Sequence, residues 1–229
     1  MKTASVIIPA HNEQAAVRKV LGDVMHQGPA LEALGYELEI ILVANACTDD
    51  TVAEAHHISD VYDFPIILIE EERKGYGYAH RRGIAAARGD VLLSLDCDDT
   101  YPAHVIPRMV QMLDEDVSFV TTDRLRLEPS MSIVSRLGNF LLSAVSTILT
   151  GQRLSDSQSG MWGYRREHIA DLLQGIGTGM ELSEQLKLRL ARAAVSWTCL
   201  NIEYNERVGE SKLNPISDGF RCLWHLVRT

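Results

Sequence analysis

A chain of 229 residues with 46% hydrophobic and 23% charged side chains has globular composition, which excludes disorder and removes any need for disulfide staples. Its 22 Lys and Arg against 31 Asp and Glu leave a net charge of −9, which argues against a nucleic-acid partner. The charge is uneven: residues 1–120 hold 20 acidic and 9 basic side chains, whereas residues 121–229 hold 11 and 13. Cys47, Cys97, Cys199 and Cys222 are isolated, without the Cys-x-x-Cys spacing of zinc or redox sites, and read as reduced cysteines of a cytoplasmic protein. The apolar run after Met1 is too short for a signal peptide, and no stretch reaches the ~20 apolar residues of a membrane span. The expectation is a soluble protein or one peripheral on the cytoplasmic face of a membrane.

In chain order, apolar runs at 5–9, 38–44, 66–69, 91–95 and 119–122 predict buried strands. Helical patterns fall between them at 13–25, 51–58, 77–87 and 102–113. Near-continuous apolar strands alternating with helices predict an α/β fold, a mostly parallel sheet covered on both faces. Ligands of such sheets sit at the carboxyl ends of the strands. Each strand there runs into a polar loop: Pro9-Ala10-His11-Asn12-Glu13, then Asn45-Ala46-Cys47-Thr48-Asp49-Asp50-Thr51, in which Thr48 or Asp49 can cap the next helix. Next come Arg73-Lys74-Gly75-Tyr76-Gly77-Tyr78-Ala79 and Asp96-Cys97-Asp98-Asp99-Thr100-Tyr101-Pro102. Any one is ordinary turn chemistry; four on one edge build a crevice. Asp96 and Asp98 follow the fourth strand directly, and two carboxylates in one crevice repel unless a cation joins them. An all-oxygen pair suits Mg²⁺ or Mn²⁺, which borrow substrate phosphates as further ligands.

These loops, in this order, resemble family 2 glycosyltransferases of the GT-A fold. Asp156-Ser157-Gln158-Ser159-Gly160-Met161-Trp162, Gly179-Met180-Glu181 and Arg207-Val208-Gly209-Glu210-Ser211-Lys212-Leu213 narrow the resemblance to the dolichyl-phosphate mannose synthase and polyprenyl-phosphate glycosyltransferase branch. It runs through nearly the whole chain and implies one catalytic domain over 1–229, with a nucleotide-sugar half at 1–120 and an acceptor half with its own helices at 121–229. It places Pro9, Ala10, Asn12 and Glu13 at the base and ribose, with Asn45 and Asp49 in the second loop. Ala44-Asn45 stands where the family usually has adjacent acids, so the choice between guanine and uracil stays open. Gly75 and Gly77 would let the backbone approach the nucleotide. Asp96 and Asp98 match the metal and diphosphate motif, Asp98 as direct ligand and Asp96 near the ribose or metal. Thr100 replaces a stronger polar helper.

In the basic half, the resemblance assigns Arg124, Gln158, Ser211 and Lys212 to acceptor or phosphate binding, and Asp98, Asp156 and Arg207 to catalysis. Glu181 and Glu184 are secondary candidates that equally suit a helix N-terminus. Arg165 and Arg166 read as helix-start surface residues. Residues 131–150 predict a helix with an apolar stripe at Val134, Leu137, Leu141, Val145 and Ile148, widened by Phe140, Leu142 and Leu149. It would pack on the sheet edge, join a homodimer, or meet a lipid acceptor at a membrane surface. The segment 214–227, with Phe220, Leu223, Trp224 and Leu226, is a second candidate for that surface. The implied activity is inverting transfer from a nucleotide-diphosphate sugar, with Mg²⁺ or Mn²⁺, to a polyprenyl phosphate. A hydroxyl acceptor would instead need a base, for which Asp156 is the candidate. A binding module without transfer activity is the remaining alternative.

Overall fold

The computed structural model describes residues 1–115, 117–125, 133–151, 155–168, 176–179, 181–193 and 196–209, with the backbone alone at 133–135 and 168. The five apolar runs form β1 (Lys2–Ala10), β2 (Tyr36–Asn45), β3 (Ile66–Glu71), β4 (Val91–Ser94) and β5 (Phe119–Asp123). Two strands that the sequence pattern did not announce, β6 (Trp162–Arg165) and β7 (Trp197–Asn201), join them. Among the described residues the order is β3-β2-β1-β4-β6-β5-β7. β1 pairs in parallel with β2 and β4, β2 with β3, and β5 with β7. Only β6 is antiparallel, between β4 and β5.

Both faces are covered, which is why the strands read as unbroken apolar runs. Successive side chains point to opposite faces. Along β1, Val6 and Ile8 therefore enter one core with Val20 and Leu21 of α1 (Val17–Met25) and Met109 and Leu113 of α5 (Ile106–Glu115). Ile7 enters the other core, with Ala79 and Ile84 of α4 (Tyr76–Ala86) and Leu182 and Leu186 of α7 (Glu181–Arg192). A short α2 (Gly28–Ala33), opened by Pro29 in its first turn, was not anticipated. α3 (Thr51–Tyr62) closes at Asp63, whose φ of 46° is left-handed.

Two boundaries matter for the site. α1 begins at Val17, not at residue 13, because Glu13 turns back to accept the Ala16 and Val17 amides at 3.0 and 2.9 Å. β4 stops at Ser94, so strand alternation does not extend to Asp96 and Asp98. Arg165 ends β6, and neither Arg165 nor Arg166 is a free surface charge: their Nε atoms donate to the Leu113 and Gly89 carbonyls, both at 2.6 Å. Cys47, Cys97 and Cys199 are reduced and outside any disulfide, as expected; Cys222 lies outside the described residues.

The predicted helix at 131–150 is α6 (Ile133–Thr150), and its apolar stripe faces outward. Ser143 and Ser146 are buried, while Leu137, Phe140, Leu141, Ile148 and Leu149 are exposed. The apolar stripe therefore does not pack on the sheet edge; Val134's side chain lies outside the described residues. No helix among the described residues is long and apolar enough to cross a membrane.

Candidate active site

Among the described residues, four non-glycines have positive φ, and three of them, Asn12 (54°), Ala46 (48°) and Asp99 (62°), stand in the loops after β1, β2 and β4. Such conformations persist only where surrounding bonds enforce them, and they concentrate at functional sites. The bonds are visible. Asn12 Oδ1 accepts the Thr48 amide at 2.7 Å, and the Glu13 amide donates to Thr51 Oγ1 at 2.8 Å. Asp49 accepts the Thr51 amide and hydroxyl on Oδ1 and the Gln14 amide on Oδ2. Burial opposes its charge, but these hydrogen bonds hold its carboxyl below the usual range. Asp49 is thus the residue that serves the start of α3, and it ties the first two loops together.

Asn45 is equally committed. Its Nδ2 donates to the carbonyls of Glu71 (3.2 Å) and Arg73 (2.8 Å), while Oδ1 accepts the Gly75 amide at 2.8 Å. The side chain shapes the third loop. Gly75 and Gly77 serve a different neighbour from the one expected: a Cβ on Gly77 would lie 2.5 Å from the backbone carbon of Thr178, and one on Gly75 2.8 Å from its carbonyl oxygen. The Gly77 amide also donates to that oxygen at 2.9 Å. The glycines admit the chain's own 176–179 segment.

The carboxylates after β4 separate into two environments. Asp98 is buried; its Oδ1 accepts the Thr100 amide (3.2 Å) and hydroxyl (2.5 Å), and its Oδ2 accepts Nη1 of Arg207 at 2.8 Å. Nη2 of the same guanidinium reaches Glu13 Oε1 at 2.8 Å. Arg207 therefore bridges the first and fourth loops, and the 205–208 segment is fastened beside it by Asn205 N to Thr100 O (2.9 Å) and Val208 N to Asp98 O (3.0 Å). Asp96 accepts Tyr76 Oη at 3.2 Å. Burial, and next the Asp98 charge, push its carboxyl up to about 7. This is the behaviour of two acids crowded together, and it fits a site that takes a cation.

Asp96 also packs against Gly160, where a Cβ would stand 2.0 Å from its Oδ2. Gly160→Ala should therefore displace Asp96. Since ångström-scale misplacement costs about 10²-fold in rate, a loss of that order is expected in steady-state kinetics with the circular dichroism spectrum unchanged.

After β5, Arg124 forms a buried bidentate pair with Asp156, Nε to Oδ2 at 2.7 Å and Nη2 to Oδ1 at 2.9 Å. Asp156 accepts the Arg124 and Gln158 amides as well, both at 3.2 Å. Burial opposes its ionisation, but the Arg124 charge and these bonds hold the carboxyl below the usual range. The guanidinium carbon lies 5.9 Å from the Tyr101 ring centroid and 5.2 Å from that of Tyr204, within cation–π range. Glu184 accepts the hydroxyls of Ser146 (3.2 Å) and Ser157 (3.3 Å), linking α6 to the 156–160 loop. Glu181 takes the helix-start role, accepting the Gly179 amide at 2.9 Å. Ser211, Lys212 and the segment 214–227 lie outside the described residues.

Four side chains at this site were not anticipated: Tyr76 on Asp96, Tyr101 and Tyr204 against Arg124, and Lys187. Tyr101 carries no sequence signal beyond its place in the fourth loop, yet its oxygen accepts the Gly160 amide at 2.6 Å. Lys187 sits between Leu186 and Leu188, and that flanking apolarity is the one hint that it is buried.

A mostly parallel sheet with acids gathered after its central strand is the GT-A architecture of glycosyltransferases. Solved structures of glucosyl-3-phosphoglycerate synthase from Mycobacterium tuberculosis share it. The complex with Mg²⁺ and uridine diphosphate superposes with a TM-score of 0.74 at 20% identity, over 99% of this chain and 79% of that one. The complex with Mn²⁺, uridine diphosphate and phosphoglyceric acid gives 0.72 at 21%, over 99% and 76%. The sequence matches glycosyl transferase family 2 over residues 5–173, and the chain belongs to that family. It is 30% identical over 218 residues to a dolichyl-phosphate hexose transferase of Haloferax volcanii, covering 94% of this chain and 88% of the relative. It is 26% identical over 230 residues to an undecaprenyl-phosphate 4-deoxy-4-formamido-L-arabinose transferase of Klebsiella pneumoniae, covering 97% and 68%.

Proposed function

We propose that this glycosyltransferase moves a hexose, with inversion, from a nucleoside-diphosphate sugar to a polyprenyl phosphate at a membrane surface, the whole chain acting as one catalytic domain. The observation that carries the acceptor assignment is the state of Asp156. A general base needs an open oxygen and a pKa near the working pH. Asp156 has both oxygens occupied and a carboxyl held low, which suits an acceptor that has no proton to lose. A phosphomonoester is such an acceptor, its second pKa being about 6. Its oxygen attacks C1 of the sugar, the bond from C1 to the diphosphate breaks, and the nucleoside diphosphate leaves with the electron pair. The names of the two relatives and the outward apolar face of α6 beside the 156–160 loop support the same reading.

On the donor side, the 9–13 and 45–49 loops form the nucleoside pocket, Asp49 and Asn45 by fixing loop shape. Asp98 and Asp96 fit a hard divalent cation: both donors are oxygens, and Asp98 already holds a positive group, Arg207. Mg²⁺ or Mn²⁺ there would neutralise the charge of the departing diphosphate. Arg124, fixed by Asp156, supplies positive charge beside the acceptor, and Ser211 and Lys212 are proposed to add to it.

The test is transfer from radiolabelled GDP- and UDP-hexoses to polyprenyl phosphate in detergent, with the dephosphorylated polyprenol as control. Product is expected only with the phosphate, and kcat/KM for the acceptor should rise from pH 5 to about 7 with the acceptor's ionisation. Transfer to polyprenol would show that the acceptor is a hydroxyl.

A further inference from the structure

The 156–160 loop is held from beneath by a residue that no donor or acceptor role accounts for. Lys187 is 1% exposed, and its Nζ donates to the carbonyls of Ser157 at 3.0 Å and Ser159 at 2.6 Å. Neighbouring bonds fix the rest of the loop. The Ser157 amide donates to Ser143 Oγ of α6 at 2.9 Å, Ser159 Oγ meets Thr122 Oγ1 of β5 at 2.5 Å, and Gln158 Nε2 donates to Ser157 Oγ at 3.1 Å. Two carbonyls converging on one buried ammonium set the curvature of a loop whose ends carry Asp156 and Gly160. Charge-assisted bonds of this kind are about twice as strong as neutral ones.

We propose that Lys187 is a positioning residue for the acceptor step, holding the 156–160 loop so that Gln158 and the Asp156–Arg124 pair face the acceptor phosphate. This rests on the acceptor-side reading of that loop. The groups facing the ammonium are Asp156 from the loop, Arg124 after β5, Cys199 of β7, and Glu184 one turn earlier on α7. Burial lowers Lys187 to about 8 against the pull of Asp156, and burial raises Glu184. The grip is therefore full only well below pH 8, is half lost near it, and disappears as the ammonium gives up its proton above it. Removing the charge leaves Asp156 paired with Arg124, so Lys187→Met retains a partner for that carboxylate.

The experiment compares wild type, Lys187→Met and Lys187→Arg by donor KM, acceptor KM and pH profile, using polyprenyl phosphate and polyprenol in parallel. Lys187→Met should raise acceptor KM by about tenfold or more with donor KM unchanged. Wild type should lose acceptor affinity above about pH 8. Lys187→Arg, whose guanidinium stays charged, should restore the affinity and abolish that alkaline loss. Unchanged acceptor KM in Lys187→Met, equal effects on both substrates, or an alkaline limb that persists in Lys187→Arg would overturn the proposal. If Lys187→Met does not fold, the Lys187→Arg profile alone decides. If wild type uses only polyprenol, the acceptor reading fails, and the same three-way comparison on polyprenol still decides the role of Lys187.

Discussion

Asp98→Asn is expected to lower kcat/KM for sugar transfer by about 10³-fold, equivalent to about 4 kcal/mol of transition-state stabilisation. Asp98 sits where three functions meet. Its Oδ1 secures Thr100 and its Oδ2 secures Arg207, and the proposed cation needs the same carboxylate. An amide keeps the size and one acceptor but supplies no charge to either cation. The loss should persist at saturating Mn²⁺, because ligand charge rather than metal concentration is missing. Steady-state kinetics beside a thermal melt checks this: a folded variant with near-wild-type kcat/KM would remove Asp98 from the reaction.

The second large effect concerns Arg207. Its side chain is one-quarter exposed, and its guanidinium spans Glu13 and Asp98, whose side chains are 8% and 7% exposed. Breaking a buried pair by removing one partner costs about 3–5 kcal/mol, and partial exposure places this case near 3. Arg207→Met should therefore melt lower than wild type. It should also gain more from Mn²⁺ than wild type does, because Asp98 Oδ2 would no longer be shared between the proposed cation and a guanidinium. Transfer should fall about 10²-fold or more through loss of the bridge that holds the first and fourth loops in register. A variant that melts like wild type, with an equal Mn²⁺ response, would show that the bridge carries no energy.

The parts of the site that adjoin strands were legible in the sequence. Val6, Ile7, Ile40 and Ile41 mark strands buried on both faces, and the loops that follow contain Asn12, Asp49, Gly77 and Asp98. What the spacing could not convey is how those loops use their own side chains. Asn45 and Asp49 are taken up by backbone amides and carbonyls, and Gly77 yields to Thr178. These are local bonds between loops distant in sequence. The Arg207–Asp98 contact spans 109 positions, and only folding brings the 205–208 segment over β4. Strands β6 and β7 are short, and a Gly inside Trp-Gly-Tyr-Arg weakens the strand pattern. For α6 the sequence left three surroundings open, because periodicity gives the angle between residues, not which side meets solvent. Lys187 was hidden for the opposite reason: lysines are almost never fully buried.

The uneven charge acquires a physical basis on this reading. The acidic half holds Asp96 and Asp98, the pair proposed to bind the cation, and the basic half supplies Arg124, Lys187 and Arg207. A net charge of −9 concealed that arrangement.

The most direct measurement is a thermal-shift series with GDP, UDP and dTDP, each with and without Mn²⁺. A ligand at 100 times its Kd stabilises by about 2.7 kcal/mol, which for a domain of this size is a rise of about 5–10 °C. At least one nucleoside diphosphate should produce that rise with Mn²⁺ and a smaller one without it, and Asp98→Asn should abolish the difference. If none of the three moves the transition under either condition, the crevice at β1, β2 and β4 is not a nucleotide-diphosphate site.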